Sequence, residues 1–260
     1  MAYETIKYEA IEEHIVLITL NRPQRLNALN VTLFEELGDA VDRIDRDDDV
    51  RVFMITGAAR ADGRPCFSAG ADMRSAAERG PTPHWLANGV IDHIDDMPKP
   101  SIAVIDGICT TGGGELVWAC DMRVAAETAQ ISDWHLKTTG AGIGGWGAAT
   151  RLTRLIGVDK AKEMLLTGMV VDGTEAKAIG LVNRVYPSDK LMEGALEMAR
   201  AIAGMRPDGV KLTLAFLEHQ EQMDKHQALH WAQRVPHVMG LSRSSDKFKE
   251  IRSGKATFKG

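Results

Sequence analysis

Apolar positions fall into two patterns along the chain: short β-branched runs and longer stretches at helical spacing. His14 to Leu20 (HIVLITL) is a run of the first kind, closed by Asn21-Arg22-Pro23, and predicts a strand with a breaker behind it. Leu33, Leu37, Ala40, Val41 and Ile44 then recur on one face with charges opposite, the spacing of an amphipathic helix. Arg51 to Thr56 (RVFMIT), closed by Gly57, and Ser101 to Ile105 (SIAVI), closed by Asp106-Gly107, read as buried strands, and Met122 to Ala126 as a further one. Strands alternating with helices predict an α/β layer architecture and exclude all-β and coiled-coil classes.

Beyond Asp159 the pattern becomes helical. Lys160 to Leu166, Thr174 to Ile179, Lys190 to Ile202 and Gly209 to Trp231 carry helical spacing, with only Leu181 to Val185 strand-like among them. The expectation is an α/β core over residues 1–199 and a helical C-terminal subdomain over 200–260. No low-complexity linker or fixed-period repeat divides the two.

Composition narrows the function classes. With 31 Lys plus Arg against 36 Asp plus Glu, the net charge of −5 argues against a nucleic-acid partner. No run of 18 apolar residues marks a membrane span, and the N-terminus lacks the pattern of a signal peptide. The three cysteines, Cys66, Cys109 and Cys120, form no disulfide framework and no paired zinc spacing, so a reduced, cytoplasmic setting is expected. His226 and His230 share a helix face at i,i+4 spacing but have no third ligand in sight, and no metal is expected there.

Glycine is the unusual count, 25 residues in clusters. Cys66-Phe67-Ser68-Ala69-Gly70-Ala71-Asp72 follows a strand, and its small residues leave the Ala71 N–H open to a ligand or simply make a tight turn. Thr110-Thr111-Gly112-Gly113-Gly114-Glu115 leads into the helical composition of Glu115 to Cys120. A helix start presents unpaired N–H groups and the positive end of its dipole, which suits developing negative charge. Glu115 at that start is either a dipole-complementing carboxylate or a buried acid–base group. Gly140, Gly142 and Gly145 spell the dinucleotide pattern G-x-G-x-x-G, but the strand before it and the acidic residue after it are missing.

Together these clusters resemble the crotonase superfamily, the enoyl-CoA hydratase/isomerase family. The resemblance is carried by Asn21-Arg22-Pro23 with Leu26-Asn27-Ala28-Leu29, by Phe67-Ser68-Ala69-Gly70-Ala71-Asp72, and by Gly112-Gly113-Gly114-Glu115-Leu116 with Cys120-Asp121. Ala178-Ile179-Gly180-Leu181-Val182-Asn183 and Phe258-Lys259-Gly260 extend it along nearly the whole chain. It implies a crotonase (ClpP-like) spiral of ββα units and chemistry on a coenzyme A thioester through an enolate. It also implies an oxyanion hole from the N–H groups of Ala71 and Gly112, and CoA contacts from Arg25, Leu26, Ala69, Asp72 and Lys259. No cofactor beyond the CoA of the substrate is implied. The implied assembly is a homotrimer or a homohexamer built as a dimer of trimers.

The resemblance breaks at one place. Hydratases of the family use two glutamates; the first maps onto Glu115, but the second falls on Trp134-His135 counting forward or on Lys137 counting back from Arg151-Leu152. Asp133 is the one carboxylate between Ile131 and Leu152. His135 is then either the replacement proton donor, with Asp133 beside it, or a structural imidazole. Enoyl-CoA hydration is the expected activity. Isomerisation, decarboxylation or C–C hydrolysis of a CoA thioester are alternatives on the same fold, and a non-catalytic CoA- or RNA-binding homologue is a further one. Trp85 and the stretch Ala76 to Val90 fall where the family shapes its acyl pocket.

Overall fold

The computed structural model describes residues 3–241 and Ser253. A six-stranded sheet runs in the order β1 (Ile6–Glu12), β2 (Ile15–Leu20), β3 (Val52–Gly57), β5 (Ser101–Ile105), β7 (Met122–Ala126) and β10 (Arg184–Tyr186). β1 and β2 pair antiparallel and the remaining pairs are parallel. A smaller sheet holds β4 (Cys66–Ser68), β6 (Ile108–Thr110), β8 (Gln130–Ser132) and β9 (Val170–Val171). The chain therefore steps three times from a strand of the large sheet to a strand of the small sheet and then to helix. This is the expected α/β spiral of ββα units.

The central strands are apolar throughout because helices cover them, as parallel sheets require. β5 is buried at every residue, and β3 from Val52 to Ile55. α1 (Val31–Arg46) buries Leu33, Phe34, Leu37, Ala40, Val41 and Ile44, the predicted stripe with Phe34 added. Asn30 caps it, its side chain accepting from Leu33 N at 3.0 Å. α2 (Met73–Arg79) and α3 (His84–Asp96) follow β4; α4 (Gly112–Ala119) follows β6; α5 (His135–Thr139), α6 (Ala148–Ile156) and α7 (Val158–Thr167) follow β8. α8 (Gly173–Ala178) precedes β10, and α9 (Leu191–Ala203) packs across β3, β5 and β7.

α4 is anchored from behind by two polar residues, buried Arg123 and half-buried Asp121. Arg123 donates to the carbonyls of Val117 and Cys120 at the helix C-terminus, where a cation is favourable. Asp121 accepts from both N and Oγ of Ser101, and burial pushes its carboxyl up to about 6 against the pull of those bonds. The strand ends that carry α4 are thus tied together.

Cα packing separates Met1–Gly204 from the residues after it, and residue 200 lies inside α9. In the second unit, α10 (Pro207–His219) and α11 (Lys225–Val238) hold each other through stacked rings of Phe216 and Trp231, 5.0 Å apart. Two sequence expectations are corrected here, and one strand is added. The single helix expected over Gly209 to Trp231 is two, because Met223 is extended and Asp224 starts a new helix by accepting from Gln227 N at 2.9 Å. The strand expected at Leu181 to Val185 begins only at Arg184, Leu181 and Val182 being buried in the connection before it. β1 had no predicted counterpart: its one fully buried residue is Ile6, so its apolar signal is weak. The three cysteines are free and buried. Among the described residues no helix is long and apolar enough to cross a membrane.

Candidate active site

Two chain turns, one after β4 and one after β6 with α2, α3, β5 and β6 between them in sequence, meet at the ends of the small sheet. After β4, Ala69 N donates to Leu26 O at 3.0 Å, and Leu29 N to Gly70 O at 2.8 Å. Asp72 N donates to Leu29 O at 2.8 Å, so Ala71 sits in a short bridge against Leu29. After β6, Thr111 takes φ 53° and ψ −118°, a left-handed conformation strained for a β-branched residue, and Gly112 opens α4.

The two turns are pressed together closely enough to demand glycine. A Cβ on Gly113 would lie 2.7 Å from Ser68 O, and one on Gly112 only 3.3 Å from Ala71 N. Neither the Ala71 N–H nor the Gly112 N–H donates to a backbone carbonyl in the loop network of the described residues. Two adjacent N–H groups at a helix start make a notch suited to an anionic oxygen.

Glu115, one turn into α4, is 1% exposed. Its Oε1 accepts from Trp146 N at 2.7 Å and Ala148 N at 3.1 Å. The glycine cluster that imitates a dinucleotide fingerprint therefore acts on the carboxylate: its turn delivers the two N–H groups. Gly144 makes this approach possible, since a Cβ there would meet Glu115 Oε1 at 2.6 Å and Ala148 Cβ at 2.3 Å. Sequence reasoning left Trp146 and Ala148 out, and glycine density around Trp146 was the only signal pointing to them. The other oxygen, Oε2, is buried with no hydrogen-bond partner among the described residues.

His135 faces that oxygen. Its Nε2 lies 3.5 Å from Glu115 Oε2, and its Nδ1 is bonded to Asp133 Oδ2 at 2.8 Å. Asp133 is fully buried, and its second oxygen accepts from His135 N at 3.0 Å, which fixes the pair as one unit. Burial alone would disfavour the imidazolium. The bonds and charges of Asp133 and Glu115 outweigh it and push His135 up to about 9. Of the two alignments of the second position, only His135 reaches Glu115. Lys137 instead donates to Gly168 O at 2.9 Å, a carbonyl that also accepts from Trp134 Nε1.

The residues implied in CoA contact lie on the loop before α1 and the turn before α2. Arg25 is exposed, and Leu26 takes φ 53°. Asn27 fixes the loop from inside, donating to Ala58 O and Cys66 O. The Asp72 carboxylate is buried: it pairs with Arg22 at 2.8 Å and caps α2 through Ser75 N. Its pKa is lowered; burial opposes this, but the bonds from Ser75 and Arg22 prevail. Lys259 lies outside the described residues. Trp85 on α3 and Met73 at the start of α2 are exposed.

The chain matches the family model for "Enoyl-CoA hydratase/isomerase" over residues 10–259. It is 40% identical over 205 residues to a probable enoyl-CoA hydratase of Rhizobium meliloti, a match covering 78% of this chain and 77% of that protein. A probable enoyl-CoA hydratase of Mycobacterium tuberculosis is 34% identical over 239 residues, covering 91% and 90%. Among solved structures, an enoyl-CoA hydratase from Bacillus anthracis aligns with a TM-score of 0.85 at 33% identity, covering 97% of each chain.

Proposed function

The chain belongs to the enoyl-CoA hydratase/isomerase family, and from that premise we propose that it adds water to a 2-enoyl-CoA thioester. The observation that carries this reading is the chain Asp133–His135–Glu115 together with two amides that, among the described residues, donate to no backbone carbonyl in the loop network. The thioester oxygen sits on the N–H groups of Ala71 and Gly112, where charge accumulates as the enolate forms. Each such donor contributes about 3 kcal/mol of barrier lowering in a dry site.

Glu115 Oε2, the unpartnered oxygen, takes a proton from water, whose oxygen bonds to C3 of the acyl chain as the C2–C3 double bond opens into the enolate. His135, cationic near neutral pH because its pKa is raised to about 9, then gives its Nε2 proton to C2. The enolate collapses back to the thioester. The proton left on Glu115 passes to His135 across the 3.5 Å gap, and both groups regain their starting states. Asp133 keeps the imidazole oriented with Nε2 toward Glu115.

Arg25, the Leu26 loop and Ala69 are the proposed cradle of the CoA moiety, with Asp72 holding Arg22 in place beneath it and Lys259 as a further phosphate contact. The second unit is the proposed trimerisation element, forming a trimer or a dimer of trimers. Its exposed Leu217, Leu229, Val238 and Met239 support this, since such side chains are usually covered in an assembly.

The test is to supply 2-enoyl-CoA esters to the purified protein and resolve products by mass and chromatography. A 3-hydroxyacyl-CoA heavier by one water supports hydration. A product of unchanged mass with a migrated double bond would replace it with isomerisation. Loss of carbon dioxide or chain cleavage from a 3-oxoacyl or malonyl ester, without hydration, would move the reading to decarboxylation or C–C hydrolysis. Binding of acyl-CoA with no turnover of any of these would leave a non-catalytic binder.

A further inference from the structure

Trp146 packs beside the amide notch. Its ring lies against Gly112: a Cβ built there would be 2.5 Å from Cζ3 and 3.0 Å from Cε3 of the indole, and 3.3 Å from Ala71 N. The same residue's backbone N–H holds Glu115 Oε1 at 2.7 Å. Residue 146 thus reaches from the amide notch to the carboxylate, alongside the line on which a thioester and its first carbons would lie.

The ring is fixed in that position. It packs edge-to-face with Phe34, a fully buried residue of α1, with ring centroids 5.0 Å apart at 78°. Trp146 O accepts from Arg151 Nη1 at 2.8 Å, and Arg151 is itself held by Asp92 and Asp95 of α3 at 2.7 and 2.8 Å. The bonds at its N–H and carbonyl hold the backbone of residue 146, and swinging the indole aside would open its packing against Phe34 and Gly112. A wall so packed does not yield to a longer ligand without disrupting the core around Phe34.

We propose that Trp146 is a specificity-determining residue that closes the acyl pocket just beyond the reacting carbons and restricts the site to short-chain acyl thioesters. This rests on the CoA-thioester reading given above. An open apolar pocket gains about tenfold in affinity for every two methylenes buried. Behind a fixed indole that gain stops, and a longer chain must displace packed side chains instead.

Binding of saturated acyl-CoA esters from butanoyl to decanoyl, by titration calorimetry, reads the wall without any turnover. The wild type is expected to show no gain beyond butanoyl, while Trp146→Ala gains about tenfold per two methylenes until the freed space is filled. Trp146→Phe, which keeps an aromatic contact with Phe34, is expected to fall between them and serves in place of the alanine variant if that one does not fold. The kcat/KM ratio of octenoyl- to butenoyl-CoA should shift in the same order. Affinity rising through decanoyl in the wild type, or parallel length profiles in wild type and variants, would overturn the proposal. If the binding ladder behaves as expected but no enoyl ester is hydrated, the hydratase reading falls and the wall stands.

Discussion

The imidazole of His135 sits between two buried carboxylates, with Nδ1 at 2.8 Å from Asp133 and Nε2 at 3.5 Å from Glu115. The shorter contact is a charge-assisted hydrogen bond; the longer one is an ion pair too wide for a good hydrogen bond. That asymmetry ties the imidazole more tightly to Asp133 than to Glu115.

The pH dependence of this pair follows from its sign. His135 titrates at about 9 against an ordinary 6.5, so the cationic acid is present at neutral pH. kcat/KM should be flat through pH 7–8 and fall as pH rises through about 9. The same shift stabilises the fold: the contribution is complete below about 6.5 and disappears as pH rises through about 9. Denaturant unfolding of wild type and His135→Gln across pH 6–10 should show the wild-type advantage shrinking over that window. A constant difference would show that the imidazolium is not what Asp133 and Glu115 hold.

Asp133→Asn is expected to move the alkaline limb toward neutrality. The amide is close to isosteric with the carboxylate but brings no charge, so the imidazolium loses its strongest support while burial still works against it. Turnover should fall about 100-fold, the low end for a disoriented acid–base group. A reduced rate with an unmoved limb would mean that Asp133 only orients the ring.

Glu115→Gln separates binding from chemistry. The amide oxygen can still accept from Trp146 and Ala148, so the loop should hold its shape. The proton acceptor facing His135 is gone. Turnover is expected to drop by about 1,000-fold while the Kd for a saturated acyl-CoA changes by less than about threefold. Matching losses in both would place Glu115 in binding instead.

Sequence reading reached as far as local pattern carries information. The stripe of α1 and the runs that became β5 and β7 were legible because burial on one face or both leaves a periodic or continuous apolar trace. Ala71 and Gly112 were legible as candidate donors, through glycine and resemblance, although their approach is a tertiary fact. The choice between His135 and Lys137 was not legible. Counting from either flank gives different answers when residues are inserted, and only packing shows Lys137 turned to Gly168. The grip of Trp146 and Ala148 on Glu115 was hidden for a related reason: backbone N–H donors leave no mark in residue identity.

Thr111 offers a test of whether strain aims the notch. At φ 53° and ψ −118° a β-branched residue is held in a conformation that glycine adopts readily, at a cost of about 1–3 kcal/mol. Thr111→Gly removes that cost but loosens the unfolded chain by about 0.4–1 kcal/mol. The net change should be a gain of about 1 kcal/mol, seen as a rise in Tm of about 2–4 °C. Thr111 directly precedes Gly112, so a freer residue here lets the Gly112 N–H wander relative to Ala71. Turnover should therefore fall, by about threefold to tenfold, while stability rises. Thr111→Ala, which keeps a Cβ and hence the strain, controls for loss of the side chain and should leave turnover closer to wild type. A glycine variant both more stable and fully active would show that the positive φ is a folding cost with no part in holding the two amides together.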